Sequence, residues 1–295
     1  MKKNPDISII VSSWNAADII GEALESIVAT AGDLNFDVTV IDDASTDGRF
    51  SQVDAKFRND PRFYFVQNEV NIAQAATVNM MLERTKAKYI VTLDTDARLM
   101  PGALQALYAF METHPEAGVA TANLRNPDGS AQLYYRRILT PAMYFFSTPM
   151  GRFIDKYFLG LRFMKWYHYD DLDVTRVSEF VQPPIACLIL RRDAMGPYIL
   201  DPLFPFFMCD VDLCKRMYDT GYKVYLVPDA KVIHLKTATV VKRGKTWIDN
   251  VLNRSYALYF KKHYPRLYPL MLVVMYADRF IRAAMLRTIG REPMR

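Results

Sequence analysis

The sequence predicts an α/β protein on a doubly wound, mostly parallel sheet, followed by a C-terminal helical tail. Three observations lead there. Short β-rich apolar runs alternate with helix-length segments over the first 125 residues; the 295-residue chain is 51% hydrophobic and 23% charged, ample for a buried core; and the residues that follow the apolar runs are polar. Residues 7–12 (ISIIVS), 38–41 (VTVI), 63–66 (FYFV), 89–93 (YIVTL) and 119–122 read as buried strands. Between them, 17–30, 47–58, 73–85 and 102–114 are long enough for helices, and Pro101 stands where the last of these can begin. In such sheets ligands bind beyond the carboxyl ends of the strands, so the residues just after each strand are the ones to search.

A turn signal, Asn126-Pro127-Asp128-Gly129, ends this half. Residues 138–180, rich in aromatics and mixed charge without a clean period, read as an insertion over the site. Regularity returns with strands at 186–190, 224–227 and 232–235 and a helix at 211–220 stopped near Gly221. From Thr246 the pattern is helical, with Pro265 and Pro269 separating 247–263 from 270–289. The expected division is therefore 1–235, with halves at 1–125 and 126–235, and a tail at 236–295.

Cys187, Cys209 and Cys214 form an odd set without C-x-x-C, which excludes a disulfide framework and a cysteine zinc site and points to a reducing cytoplasm. Lys2 and Lys3 precede only a short apolar stretch, 7–11, so no export signal is expected. The net charge of +5 hides an asymmetry: residues 231–295 hold 14 Lys+Arg against 3 Asp+Glu, and the remaining 230 hold 23 against 29. An acidic body suits a cation or polar small molecule; a basic tail suits a phosphate-rich surface. No G-x-G-x-x-G follows the first strand, where Ser12-Ser13-Trp14-Asn15 stands, and this excludes a dinucleotide oxidoreductase.

Carboxylates mark the strand ends. Asp42 and Asp43 follow the second strand, and Asp94 and Asp96 follow the fourth. Two carboxylates spaced i, i+2 can share a divalent cation bound to a diphosphate, because hard oxygen ligands suit Mg²⁺ or Mn²⁺. A second constellation runs from Phe206-Phe207-Met208-Cys209-Asp210-Val211-Asp212 through Gly221-Tyr222 and Val227-Pro228-Asp229-Ala230 to Val232-Ile233-His234. Together with Ile41-Asp42-Asp43-Ala44-Ser45-Thr46-Asp47-Gly48, Asp94-Thr95-Asp96, His114-Pro115-Glu116, Arg136-Arg137 and Ala186-Cys187-Leu188-Ile189-Leu190-Arg191-Arg192, the chain from about 7 to 234 resembles the family 2 inverting glycosyltransferases of the GT-A fold. The subgroup it resembles is the rhamnosyltransferases of bacterial O-antigen and cell-wall linker glycans.

That resemblance implies a Rossmann-like nucleotide-binding half and an acceptor half. It places Ser12, Trp14, Asn15 and Asp43 at the nucleotide, with Asp42 as the neighbouring alternative, and Asp94, Thr95 and Asp96 at the diphosphate. It assigns Asp96 and His234 to a divalent cation, Mn²⁺ or Mg²⁺, and Asp210 to the general base. The donor implied is a dTDP- or UDP-sugar, the acceptor a glycan or a polyprenyl-diphosphate-linked sugar; nucleic acid is not an expected partner. Three departures touch donor and acceptor: Cys209 before Asp210 where glutamate is common, Ala73 where a glycine is usual, and Pro183-Pro184 for a small approach to the acceptor. Several membrane spans and a Q-x-x-R-W motif are missing, which favours transfer of one sugar over processive synthesis. A degenerate fold kept as a binding or scaffolding subunit is the rival reading.

Residues 270–277 form an apolar run, and Asp278, Arg279, Arg282 and Arg287 follow among Phe280, Ile281, Met285 and Leu286. Four charges disfavour a spanning helix. The tail is expected to lie in an anionic membrane interface on the cytoplasmic face, the alternatives being packing on the body or in a homodimer.

Overall fold

The computed structural model describes residues 4–179, 182–236 and 244–288. Of the expected tail, 237–243 and 289–295 lie outside the described residues. The chain packs into two compact units that are discontinuous in sequence: Met1–Tyr134 with Asp173–Thr239, and Tyr135–Leu172 with Val240–Arg295.

The first unit is one sheet. β1 (Ile7–Ser13), β2 (Phe36–Asp42), β3 (Phe63–Gln67) and β4 (Tyr89–Leu93) pair in parallel in the order β3-β2-β1-β4. The helices between them are α1 (Ile20–Thr30), α2 (Phe50–Phe57) and α3 (Ala73–Arg84). α1 buries Ile20, Ala23, Leu24 and Ile27, one face at helical spacing, against a core that includes Ile7, Ile9 and Val11. β4 is followed by β5 (Ala97–Leu99), α4 (Ala103–Thr113) and β6 (Ala117–Arg125).

The sheet then becomes mixed. β8 (Cys187–Arg191) slots antiparallel between β4 and β6, a small β7 (Ser178–Glu179) pairs with β9 (Lys223–His234), and β9 runs parallel to β6. The two strands expected at 224–227 and 232–235 are this single strand. Its register against β6 jumps from Val227 to Lys231, across Pro228, which has no N–H to donate to a ladder. Sequence periodicity breaks there although the strand continues. α8 (Cys209–Asp219) lies between β8 and β9 in the chain.

The second unit is helical: α5 (Pro141–Ser147), α6 (Pro149–Phe158), α7 (Arg162–Tyr167), α9 (Lys245–His263) and α10 (Tyr268–Thr288). The aromatic segment without a period is thus three short helices, and α5 and α6 each start on a threonine cap followed by proline, Thr140-Pro141 and Thr148-Pro149. Aromatic contacts tie them to α9: the Tyr144 ring stands edge-on to Tyr256 and Phe260, and the Tyr259 hydroxyl donates to the Leu139 carbonyl at 2.9 Å. By these contacts residues 135–172 group with the C-terminal helices, a grouping that a linear split at 235 does not contain.

Candidate functional site

The strand ends of the first unit assemble the site. The short β5 folds back after β4 and pairs antiparallel with the end of β9, with Ala97 opposite His234. That pairing carries Asp96, one residue before β5, to the imidazole: Nε2 of His234 lies 3.3 Å from an oxygen of Asp96. The Asp96 carbonyl also accepts from the Leu235 N–H at 3.0 Å, and the Asp94 N–H donates to the Ala186 carbonyl at 2.9 Å, so both ends of the D-x-D are pinned by backbone. Asp94, Asp96 and His234 each offer one ligand atom within 4.8 Å of the others.

Electrostatics couple the three groups. Burial, then the Asp96 charge, pushes the Asp94 carboxyl up to about 6. For His234, burial lowers the pKa, but the Asp96 hydrogen bond and the two carboxylates outweigh it and the net direction is up. Two carboxylates and one imidazole form a donor set that suits Mn²⁺, and Mg²⁺ less well. The residues fit a cation.

Gln132, which the sequence reading missed, completes the setting. Its Oε1 lies 3.1 Å from Nδ1 of His234, and its Nε2 donates to the His234 carbonyl at 2.5 Å and to that of Arg125 at 3.1 Å. With its two N–H bonds committed to carbonyls, the amide presents oxygen to Nδ1, which keeps a proton there; Nε2 donates to Asp96 while it is protonated and offers its lone pair once it gives that proton up. No local motif announces such a residue, because it is 102 positions from its partner.

Asp210 is the second residue of α8 and lies partly exposed, its Oδ1 accepting from the Val211 N–H at 2.8 Å. Burial pushes its carboxyl up to about 6, and its charge helps raise Asp94, which places it in the same field. The residue before α8, Met208, holds a left-handed φ of 68°. Asp212, two residues on, is fully buried against Arg216 at 3.0 Å and serves the helix.

At the other strand ends, Asp42 and Asp43 are buried and heavily engaged. Asp42 accepts from the Ser45 N–H at 3.1 Å, from the Ser45 hydroxyl, and from Gln67 at 3.0 Å. Asp43 accepts from Asn68, Ile72 N–H and Ala73 N–H, each at 2.9 Å. An ionised carboxylate has about four acceptor sites, so each retains roughly one for a ligand. Asn15, at φ 50°, ties its loop to the next: its side-chain oxygen accepts from Thr46 N–H at 2.8 Å. Ser12 and Trp14 are partly buried near the end of β1, and Thr95 is buried between the two aspartates. Arg191 and Arg192 face inward: Arg191 donates to the carbonyls of Met111, His114 and Ala117, and Arg192 to that of Leu82. Arg137, in the second unit, donates to the Trp166 carbonyl and pairs with Asp171.

Ala73 stands at φ 71°. A Cβ in this region costs about 1–2 kcal/mol relative to glycine, and the N–H it aims at Asp43 is what holds it there. Ala73→Gly is accordingly expected to stabilise the protein by about 1 kcal/mol in urea unfolding at unchanged slope. A loss of stability would show that the methyl group's packing outweighs the strain.

Comparisons with known proteins bear on the family and the fold. A family model described as glycosyl transferase family 2 matches residues 8–175. The chain is 33% identical over 116 residues to a putative glycosyltransferase, EpsE, of Bacillus subtilis (strain 168), covering 39% of this chain and 41% of that protein. It is 29% identical over 109 residues to the putative colanic acid biosynthesis glycosyl transferase WcaA of Escherichia coli (strain K12), covering 37% and 39%. The matches thus span about two fifths of these relatives' length. Among solved structures, the mannosyltransferase PcManGT from Pyrobaculum calidifontis, in complex with GDP-Man and Mn²⁺, is similar at TM-score 0.58 and 16% identity over 99% of this chain and 77% of that one. S. aureus TarS 1–349 with UDP-GlcNAc is similar at TM-score 0.56 and 18% identity over 87% and 66%. The fold is that of the GT-A glycosyltransferases, and the chain belongs to glycosyl transferase family 2.

Proposed function

We propose that the protein is an inverting, cation-dependent transferase that moves one sugar from a pyrimidine nucleoside diphosphate to a glycan or polyprenyl-diphosphate-linked acceptor in bacterial surface polysaccharide synthesis. dTDP-rhamnose is the first candidate donor and other UDP- and dTDP-sugars follow. One observation carries the reading: a half-buried cluster of Asp94, Asp96 and His234 shares its field with a raised carboxyl on Asp210. The Mn²⁺ and nucleotide sugars in the names of similar structures support it.

Asp94, Asp96 and His234 would hold the cation. Once bound, that cation supplies positive charge at the diphosphate as negative charge builds on the leaving group. Asp210 takes the proton from the acceptor hydroxyl as its oxygen attacks the anomeric carbon from the face opposite the diphosphate. The new C–O bond forms as the old one breaks, so a single displacement inverts the centre and no covalent intermediate is needed. Ser12, Trp14, Asn15 and Thr95 border the nucleotide, and the remaining acceptor site of Asp43, or of Asp42, takes the imino N–H that uracil and thymine both offer.

Calorimetry with UDP, dTDP and GDP in the presence of Mn²⁺ tests the donor class. The expected result is tightest binding by UDP or dTDP; tighter binding of GDP than of both would overturn the base assignment. The rival reading, a binding subunit, draws on Cys209 beside Asp210. Turnover of a UDP- or dTDP-sugar in Mn²⁺ that ceases in chelator would dismiss it.

A further inference from the structure

Two helices of the second unit each bury an aspartate and expose an aromatic face. α10 turns Met271, Met275 and Asp278 inward, and the Asp278 carboxylate is held by Arg282 at 2.8 Å. Its opposite face is Leu270, Val273, Tyr276 and Phe280, spaced three and four apart and 59%, 65%, 70% and 77% exposed. α6 repeats the arrangement. Its Asp155 is fully buried and accepts from the Phe163 and Met164 N–H groups at 3.1 and 3.0 Å, while Phe153, Tyr157 and Phe158 are 57%, 62% and 74% exposed. Both helices satisfy their carboxylates internally and leave their aromatics in water. An exposed apolar helix face of this kind on a folded unit marks a contact with something apolar.

Charge identifies the partner. The unit's two segments, 135–172 and 240–295, hold 18 Lys+Arg against 6 Asp+Glu, a balance of +12, and the first unit holds 19 against 26, or −7. On α6 the exposed Arg152 and Lys156 flank the aromatics, with the Lys156 ammonium 5.0 Å from the Tyr157 ring centre. Beside the α10 face, a cleft of about 230 Å³ between α9 and α10 is lined by Asn250, Asn253, Arg254, Tyr276 and Arg279. Arg254 and Arg279 are exposed at this cleft, which offers two guanidinium groups and two amides to an anion. A second copy of the chain docking face to face would bring two units of +12 together, whereas an anionic bilayer offers an apolar layer under a phosphate layer. Among the described residues no helix is long and apolar enough to cross a membrane.

We infer that the second unit docks on anionic phospholipid bilayers, with the Val273, Tyr276 and Phe280 face of α10 in the headgroup boundary and Arg254 and Arg279 on lipid phosphate. Interfacial helices combine an apolar face with flanking cations in this way. The inference is independent of the proposed reaction. The test is sedimentation of the full chain with phosphatidylcholine vesicles, with and without phosphatidylglycerol, at low and high salt, next to Tyr276→Glu/Phe280→Glu and Arg254→Gln/Arg279→Gln. The expected result is binding only to the phosphatidylglycerol vesicles, weakened at least tenfold by high salt and by each double variant, with parent-like melting in both variants. Failure of the parent to bind, equal binding by parent and variants, or a soluble dimer of the parent that Tyr276→Glu/Phe280→Glu splits would each overturn it.

Discussion

Asp210→Asn is expected to bind donor like the parent and to lose transfer by about 10²–10⁴-fold, the scale for a positioned general base. The amide keeps an oxygen for the Val211 N–H, which holds this side chain at 2.8 Å, so geometry survives while basicity does not. The parent's transfer rate should fall as pH drops through about 6, where this partly buried carboxyl takes its proton. Stability changes in the opposite sense. Because the folded-state pKa lies above the unfolded one, the folded protein holds this proton more tightly, and ionising Asp210 costs stability as pH rises from about 4 to about 6. Asp210→Asn should therefore melt higher than the parent at pH 8 and no higher at pH 3.5. Parent-like turnover by the variant would place the base elsewhere; equal melting at pH 8 would show that the carboxyl is better solvated than its enclosure implies.

Asp96→Ala is expected to abolish cation binding and to lower transfer by about 10³-fold, several kcal/mol of charge stabilisation being removed at the leaving group. The readout apart from activity is the Mn²⁺ electron spin resonance signal, which should stay that of the free ion on titration with the variant. Folding should survive, since Asp96 sits beside Asp94 and its loss relieves the repulsion that raises the Asp94 carboxyl. Gln132→Leu acts one step removed: it frees the imidazole to rotate and to change tautomer, and should weaken Mn²⁺ binding about 10–100-fold, as loss of a ligand's outer partner does. Undiminished Mn²⁺ binding by Asp96→Ala would remove the cluster from consideration as the cation site.

The alternating pattern was legible in the sequence because buried parallel strands are short apolar runs whose signal is local. β1, β2, β3 and β4 therefore lie where that pattern puts them, within two residues at each end. The carboxylates were legible because they follow those runs directly, and in doubly wound sheets the carboxyl ends of the strands border the ligand crevice. Some local signals were weak. The three-residue β5 has too few residues to show a period, and the helices of 135–172 are too short, at six to ten residues, for their apolar spacing to repeat.

The remaining features depend on residues far apart in the chain. His234 meets Asp96 because β5 turns back onto β9, a pairing across 137 positions that neither strand's own sequence encodes. Gln132 acquires its place only once β9 lies beside the turn that follows β6. Asp43 reads as a ligand at a strand end, yet three hydrogen bonds to residues 68–73 occupy most of its acceptor capacity. In α10, composition announced an amphipathic helix, but only packing chose which side is covered. Asp278 goes inward, held by the exposed Arg282 one turn along the same helix, and Tyr276 and Phe280 go outward, since that ion pair lets the covered side take a carboxylate. Sequence by itself determined the elements and the kinds of chemistry at their ends; the non-local pairings decided which of those groups stand within reach of one another, since a hydrogen bond or a shared cation acts over a few ångströms of space and not along the chain.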